Sequence, residues 1–249
     1  MADHPRFLNA GNAGPFTLDG TRTYLVGRGV VAVIDAGPAL DPHLDALTAA
    51  LQGASEVAVF VTHGHGDHAP GARALAGRLD TELHGPAGVE GVTRPLAEGD
   101  VIPTDEGDLV VLDTPGHARH HLGLHWPARR AFFAGDLLLG KGDTVWVGEY
   151  AGSVADYLES LERVRRLDLA VIYPAHGPAL ENPSEALDRF RAHRHERIRQ
   201  MEGMLRERPG ASAEALLDTV YGPALAESTR KAALRSIAAL KAHVEGHRE

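Results

Sequence analysis

The spacing of apolar positions changes several times along this chain, and each change predicts an element. Residues 21–34 (TRTYLVGRGVVAVI) hold two β-rich runs around Gly27-Arg28-Gly29, the pattern of a hairpin. From Asp41 to Leu51 the leucines at 44, 47 and 51 recur at helical spacing. Val57–Val61 is a continuous apolar run of strand length and predicts a buried strand that ends where a cluster of histidines begins. Gly71 to Leu79 suits a short helix. Further short strands are predicted at 109–112, 121–126 and 131–134, each followed by Gly, Pro or Asp. Ser153 with Asp156 three residues later predicts a capping box opening a helix to Arg166. Leu169–Tyr173 predicts another buried strand, with Pro174-Ala175-His176-Gly177 behind it.

After Pro183 the texture changes. The stretch SEALDRFRAHRHERIRQMEGMLRER predicts one long helix with Leu187, Phe190, Ile198, Met201 and Leu205 on its apolar positions, broken by Pro209-Gly210. Two more helices are expected near 212–220 and 228–244. The boundary is placed at about residue 184, between an α/β body (1–183) and an all-helical region (184–249). No internal repeat or low-complexity tract interrupts either.

Charge follows that division. Of 25 Lys/Arg and 34 Asp/Glu, residues 185–249 carry 12 and 10, leaving 13 and 24 in residues 1–184. An acidic body is not the footprint of a protein that grips long nucleic acid over its whole surface, although the Arg-rich helix offers a local basic patch. The absence of cysteine excludes a thiolate nucleophile and any cysteine-ligated metal. MADHPRFLNAGNAG has no basic segment leading into an apolar core, and no apolar stretch reaches the length of a membrane span, so the expectation is a cytoplasmic protein with no membrane association.

Four places share one grammar: a short apolar run, a turn of small residues, then a metal-ligating side chain. They are VFVTHGHGDH (59–68), VVLDTPGHA (110–118), AFFAGDL (131–137) and AVIYPAHG (170–177). Ligands at strand ends converge on one edge of a sheet, where a rigid scaffold holds the loops. His63, His65, Asp67, His68, His117, Asp136 and His176 emerge as the ligand set. A closed structural zinc needs only four ligands, so seven from four loops argue for two ions. His63, His65 and His117 are assigned to one ion, and Asp67, His68 and His176 to the other, with Asp136 bridging. Imidazole and carboxylate without thiolate suit zinc, with manganese or iron as alternatives. Two ions roughly 3.5–4 Å apart convert a bridging water to hydroxide near neutral pH, and Asp67 can hold that water or shuttle its proton. Gly64 and Gly66 are expected to let the backbone turn tightly enough to aim neighbours at different ions. His84, His120, His121, His125 and His243 read instead as solvated or locally bonded.

HGHGDH, TPGH at 114–117, GD at 135–136 and the histidine of PAHG together resemble the metal motifs of the metallo-β-lactamase superfamily. The resemblance covers roughly residues 16–180. It implies a four-layer αββα sandwich with a dinuclear site between the sheets. It also implies that Asp35, in VVAVIDAG, is an acidic support beneath the site that orients a ligand; a turn aspartate capping the next segment is the other reading. A narrower likeness runs through GDLLLGKGDTVWVGEY, IYPAHGP and the helix carrying HRHER. These are similar to the β-lactamase-like protein 2 group, whose members add a helical, winged-helix-like tail and of which some act on single-stranded RNA. No strand pair for a wing follows the helices here, so a helical cover shaping the pocket, or a homodimer contact, stands beside nucleic-acid binding.

The resemblance implies attack of a metal-bridging hydroxide on an ester-like centre. A β-lactamase is disfavoured by the missing secretion signal and cysteine ligand, and a flavodiiron oxygen reductase by His65 where its pattern has an acid. A persulfide dioxygenase shares the HxHxDH stretch. Two hydrolase readings lead. The first, placed ahead of the other, is a phosphodiesterase on a short single-stranded RNA or nucleotide, favoured by the narrower resemblance and by Arg189, Arg191, Arg194, Arg197 and Arg199. The other is a thioester hydrolase of the hydroxyacylglutathione or acyl-CoA type, favoured by the acidic body and compact pocket. A metal-dependent sensor or binding module is the reading from another class. His193, Arg194 and Arg197 are candidates to fix a phosphate or carboxylate, with a solvated, salt-bridged face as the alternative use of these arginines. Trp146 and Tyr150 are candidates to roof the pocket.

Overall fold

A computed structural model describes residues 4–222 and 225–246. The hairpin at Gly27 forms as expected. β2 (Arg22–Val26) and β3 (Val30–Ile34) pair antiparallel, and β1 (Arg6–Asn9) adds outside β2. β4 (Glu56–Phe60), β5 (Leu83–Pro86) and β6 (Arg94–Leu96) then follow in parallel, making a six-stranded sheet in the order β1-β2-β3-β4-β5-β6. The parallel steps need crossovers. α1 (Asp41–Ala50) and α2 (Ala69–Leu79) supply two of them, with Leu44, Leu47, Ala72 and Leu75 buried against Val31, Val33, Val59 and Val61.

The second sheet has the order β11-β10-β9-β8-β7, from β7 (Val101–Ile102), β8 (Leu109–Asp113), β9 (Leu122–Trp126), β10 (Ala131–Gly135) and β11 (Val171–Pro174). All its pairs are antiparallel except β10 with β11, whose crossover is α3 (Ser153–Arg165). The two sheets face each other over Tyr24, Ile34, Phe60, Leu124, Trp126 and Phe133. With α1 and α2 outside one sheet and α3 outside the other, the expected αββα sandwich is complete. Strands buried on both faces read as unbroken apolar runs, which is why Val57–Val61 and Leu169–Tyr173 were legible.

The capping box does not form. Gly152, with a left-handed φ of 93°, is the cap of α3. Ser153 is already inside the helix, with its hydroxyl buried and unbonded among the described residues, and Asp156 instead accepts a hydrogen bond from the Tyr150 hydroxyl at 2.7 Å. β1, β5, β6 and β7 were not predicted. Each is a short strand of mixed polarity at or near a sheet edge, where pairing rather than pattern decides.

The C-terminal helices are α4 (Pro183–Glu207), α5 (Ala213–Tyr221) and α6 (Glu227–Gly246). Their apolar positions do not close on themselves. Leu187, Phe190, Met201, Leu216, Leu217, Ile237 and Leu240 belong to one buried cluster with Val154, Tyr157 and Leu161 of α3 and Phe132 and Ile172 of the second sheet. Among the described residues no helix is long and apolar enough to cross a membrane.

Candidate metal centre

The turns that carry the predicted ligands all leave the same edge of the sandwich. Asp35 follows β3, and His63, His65, Asp67 and His68 fill the loop from β4 to α2. His117 lies between β8 and β9, Asp136 follows β10, and His176 follows β11. Two glycines are demanded by close approach. Gly135 has φ 48°, and a Cβ there would stand 2.7 Å from His121 Nε2 and 2.8 Å from Thr62 Oγ1. At Gly116 (φ 133°) a Cβ would meet the Tyr157 backbone at 2.5 Å. Gly64 and Gly66, by contrast, do not occupy the left-handed region, so the turn through the HGHGDH loop does not depend on it.

Seven side chains gather into two groups. His63, His65 and His117 form one, and Asp67, His68, Asp136 and His176 the other; within each, one ligand-type atom per residue lies within 4.8 Å of all the rest. Asp136 Oδ2 also lies 3.4 Å from His117 Nε2, so this carboxylate stands between the groups.

The hydrogen bonds behind the rings decide which nitrogen faces inward. His117 Nδ1 lies 2.9 Å from the Trp146 carbonyl and His176 Nδ1 lies 3.3 Å from the Gly20 carbonyl. His68 Nδ1 lies 3.0 Å from Asp35 Oδ2. Carbonyls only accept, so Nδ1 of His117 and His176 carries a proton, and the Asp35 carboxylate favours one on His68 Nδ1 as its ion-pair partner; each Nε2 is then the inward-facing nitrogen, a lone pair wherever the ring is neutral. His63 follows by one relay: Thr62 Oγ1 donates to Asp35, so its oxygen accepts from His63 Nδ1 at 3.0 Å. Asp35 thereby sets one histidine in each group. Thr62 N also donates to Asp35 Oδ1 at 2.8 Å, and Asp35 itself has a left-handed φ of 55°.

Those inward nitrogens face each other and face carboxylates. His176 Nε2 is 3.3 Å from both Asp67 Oδ2 and Asp136 Oδ1, and His68 Nε2 is 3.6 Å from Asp136 Oδ1. Both ring nitrogens of His68, His176 Nε2 and Asp136 Oδ1 are buried with no hydrogen-bond partner among the described residues, so His68 meets Asp35 as an ion pair and not through a well-aligned hydrogen bond. Carboxylates and imidazole nitrogens gathered in a buried place call for positive charge among them, from protons on His68 and His176 or from a bound cation that displaces those protons. The residues therefore fit divalent ions: hard carboxylate and borderline imidazole, held from behind, with inward nitrogens that coordinate once deprotonated.

Protonation separates the groups. Burial and the neighbouring histidines hold His63 well below the usual histidine range. Burial acts the same way on His68, but the carboxylates of Asp35 and Asp136 override it and hold that ring well above. His176 is raised by Asp136 and Asp67 against its burial. Asp136, despite burial, is held well below the carboxylate range by His176 and His68.

A cavity of about 900 Å³ opens from this edge and is walled on its far side by the C-terminal helices. His65, Asp67, His117 and Asp136 line its floor. Of the predicted substrate contacts, Trp146, His193, Arg194 and Arg197 line it, and Tyr150 does not. Tyr150 is spent on Asp156 and beneath the Arg119 guanidinium, 4.3 Å from its ring, so it is not a roof residue. Trp146 packs 5.9 Å from the His117 ring, and its indole N–H donates to the Ala232 carbonyl of α6 at 2.9 Å. Arg194 is buried, donates to the Val145 carbonyl at 2.9 Å and stacks over Tyr157. Arg199 pairs with Glu196, the salt-bridged use of these arginines.

The Metallo-beta-lactamase superfamily sequence profile matches residues 16–176. The chain belongs to this superfamily. It is a metal-dependent hydrolase of the metallo-β-lactamase fold. A β-lactamase-like protein 2 homolog from Caenorhabditis elegans is 32% identical over 222 residues, covering 84% of this chain and 74% of that protein. An atrochrysone carboxyl ACP thioesterase from Paecilomyces divaricatus is 31% identical over 244 residues, covering 90% and 73%. The crystal structure of a metallo-β-lactamase family protein from Thermus thermophilus superposes with a TM-score of 0.81 at 21% identity. It covers 98% of this chain and 93% of its own, so the helical region is part of the shared fold.

Four residues of this metallo-β-lactamase site were missed in the sequence. Thr62 relays Asp35 to His63. Thr21 donates to the Asp67 carbonyl at 3.0 Å. His121 accepts from the Asp136 backbone N–H at 3.1 Å, bonds Thr114 at 2.8 Å, and is pushed down to about 3 by burial and His117. Glu149 lies 3.4 Å from His65 Nε2. Thr62 had a signal, a polar residue ending an apolar strand beside a ligand; the others depend on neighbours distant in sequence.

Proposed function

We propose that the protein hydrolyses a thioester that carries an apolar acyl group. The cavity carries this reading: Leu139, Val145, Trp146, Leu225 and Leu240 form the apolar part of its wall, a surface that takes a hydrocarbon or aromatic acyl chain by removing it from water, beside the cations of α4 and α6. The likeness to a protein named as an acyl-carrier-protein thioesterase supports it.

In this reading His63, His65 and His117 would hold one divalent ion and Asp67, His68 and His176 a second, with Asp136 between them. Zinc suits the donors best, with manganese or iron as alternatives. When bound, the ions supply Lewis acidity and a nucleophile derived from water. The chain's own residues do the rest. Asp67, reachable from the cavity and kept ionised by His176 and His68 against its partial burial, holds the attacking water and takes its proton. The new C–O bond forms at the carbonyl carbon, the C–S bond breaks, and the sulfur leaves with a proton as the thiol. Trp146 and the helical wall exclude bulk water.

A phosphodiester substrate, a short single-stranded RNA or nucleotide, is the second reading, favoured by Arg197, Lys231 and Arg235 in the same cavity. Zinc-loaded protein assayed side by side on a medium-chain acyl thioester, bis-p-nitrophenyl phosphate and a short RNA separates the two. Turnover of the thioester in preference is expected. Turnover of phosphodiesters alone overturns the proposal.

A further inference from the structure

The helical wall of the cavity has a charge pattern that apolar acyl binding does not explain. The protein as a whole is acidic, with a net charge of −9. Yet among the described residues lining the cavity the only carboxylates are Asp67 and Asp136 at the metal site. The helical wall contributes Arg194 and Arg197 from α4 and Lys231 and Arg235 from α6, of which Arg194 is buried and spent on the Val145 carbonyl and the Tyr157 ring. The side chains of Lys231 and Arg235 make no hydrogen bond or ion pair with a described residue. Arg197 spends Nη1 on Gln200 at 2.6 Å and lays its guanidinium over the Tyr221 ring at 5.1 Å, while its Nη2 is buried with no partner among the described residues.

An unpaired buried guanidinium nitrogen is costly, and cations lining one cavity repel each other. Several arginines outside the cavity are paired, Arg78 with Asp41 and Asp45, Arg130 with Asp168, and Arg165 with Glu162, while others such as Arg94 and Arg206 are exposed with no ion pair to a described residue. The cavity wall gathers its cations without acids beside them. The arrangement becomes favourable when an anion enters.

We propose that Arg197, Lys231 and Arg235 form an anion subsite for the phosphate of the carrier arm of the thioester, the phosphorylated pantetheine moiety common to coenzyme A and acyl carrier proteins. The assignment rests on the thioester reading above. The metal site already supplies the positive charge that a scissile group needs, so cations on the helical wall serve a second, non-reacting anion of the same substrate. A forked guanidinium beside a mobile ammonium suits a phosphate monoester or diester. Binding energy from such a remote group is what positions the reacting bond.

The test compares the zinc-loaded wild type with Lys231→Gln/Arg235→Gln, and separately with Arg197→Gln. Each receives octanoyl-coenzyme A and octanoyl-N-acetylcysteamine, a thioester without phosphate. The expected result is a fall in kcat/KM for the coenzyme A thioester of roughly ten- to hundredfold, carried by KM, with the phosphate-free thioester unchanged. Equal losses on both substrates would mean a structural role, and no loss on either would mean no anion contact; both overturn the proposal while leaving the thioesterase reading in place. The same acyl site probed with glutaryl-N-acetylcysteamine reports on the acyl end. A loss confined to that substrate overturns the phosphate assignment in favour of an acyl carboxylate. Calorimetry with S-octyl-coenzyme A, a thioether that cannot be hydrolysed, tests the subsite without turnover. Weaker binding by the variants than by wild type upholds the subsite even if no thioester is cleaved, and equal binding overturns it.

Discussion

Asp35 Oδ2 lies 3.0 Å from His68 Nδ1, and both side chains are buried beneath the metal-site loops. Through Thr62 the same carboxylate also orients His63, so one acidic residue sets the inward-facing nitrogen of a histidine in each of the two ligand groups. The Asp35→Asn variant keeps the shape but loses the acceptor-only character that fixes both tautomers. We expect metal affinity to fall by roughly 10–100-fold, measured as metal content after dialysis against a chelator buffer. Undiminished metal content with normal thermal stability would show that the carboxylate is dispensable.

Asp67→Asn tests the proton role. The histidine group at His63, His65 and His117 is untouched by this change, so metal binding there should persist. Turnover should drop by about 10²–10⁴-fold, in kcat rather than KM. A variant with near-normal kcat would refute the base assigned here.

Gly135→Ala places a methyl group against His121 Nε2 and Thr62 Oγ1 on a backbone at φ 48°. The cost should be about 1–3 kcal/mol in urea unfolding, from overpacking and a left-handed alanine together. Because His121 holds the Asp136 backbone and Thr62 holds His63, metal affinity should fall with it. An equally stable variant would mean that the loop has room that this structure does not show.

Trp146→Ala severs the indole bond to Ala232 while leaving the Trp146 carbonyl on His117. The helical wall loses a tie worth roughly 1 kcal/mol and the cavity loses an apolar surface. We expect KM for an apolar acyl thioester to rise with metal content unchanged. Loss of metal instead would mean that the indole, and not only the backbone, supports His117.

Metal removal should also be readable in stability. With ions stripped, the buried cluster of His68, His176 and Asp136 depends on protons on the two rings for its positive charge, and its inward atoms lack hydrogen-bond partners among the described residues. Returning zinc to about a hundredfold above its Kd should add roughly 2.7 kcal/mol, seen as a rise in Tm with metal concentration. A Tm indifferent to zinc would argue against these residues as a native metal site.

The candidate site was more legible than the fold around it. HGHGDH, TPGH, GD and PAHG carry their ligands in short stretches behind strands whose double-sided burial writes an unbroken apolar run, so both the ligands and their scaffold show locally. The capping box at Ser153 misled because Gly152 has the backbone freedom to cap the helix one residue earlier. Tyr150 misled because proximity to Trp146 in sequence says nothing about which way its ring turns; Asp156 and Arg119 turn it away.

By itself the sequence determined the sandwich and picked out the seven side chains that gather in two groups at one edge, because residue type and strand-end position suffice for those. Tertiary structure decided the rest. Which histidine nitrogen faces inward depends on Asp35, Thr62, Gly20 and Trp146, brought up from four separate segments. Whether the arginines of the long helix are surface or site depends on its rotation against α3 and α6: Arg194 and Arg197 turn inward, and Arg199 turns out to Glu196. Lys231 and Arg235, unremarked in the sequence, reach the cavity only because α6 folds back over it. Hydrogen-bond partners and cavity walls are properties of packing, and packing is set by contacts between segments far apart in the chain.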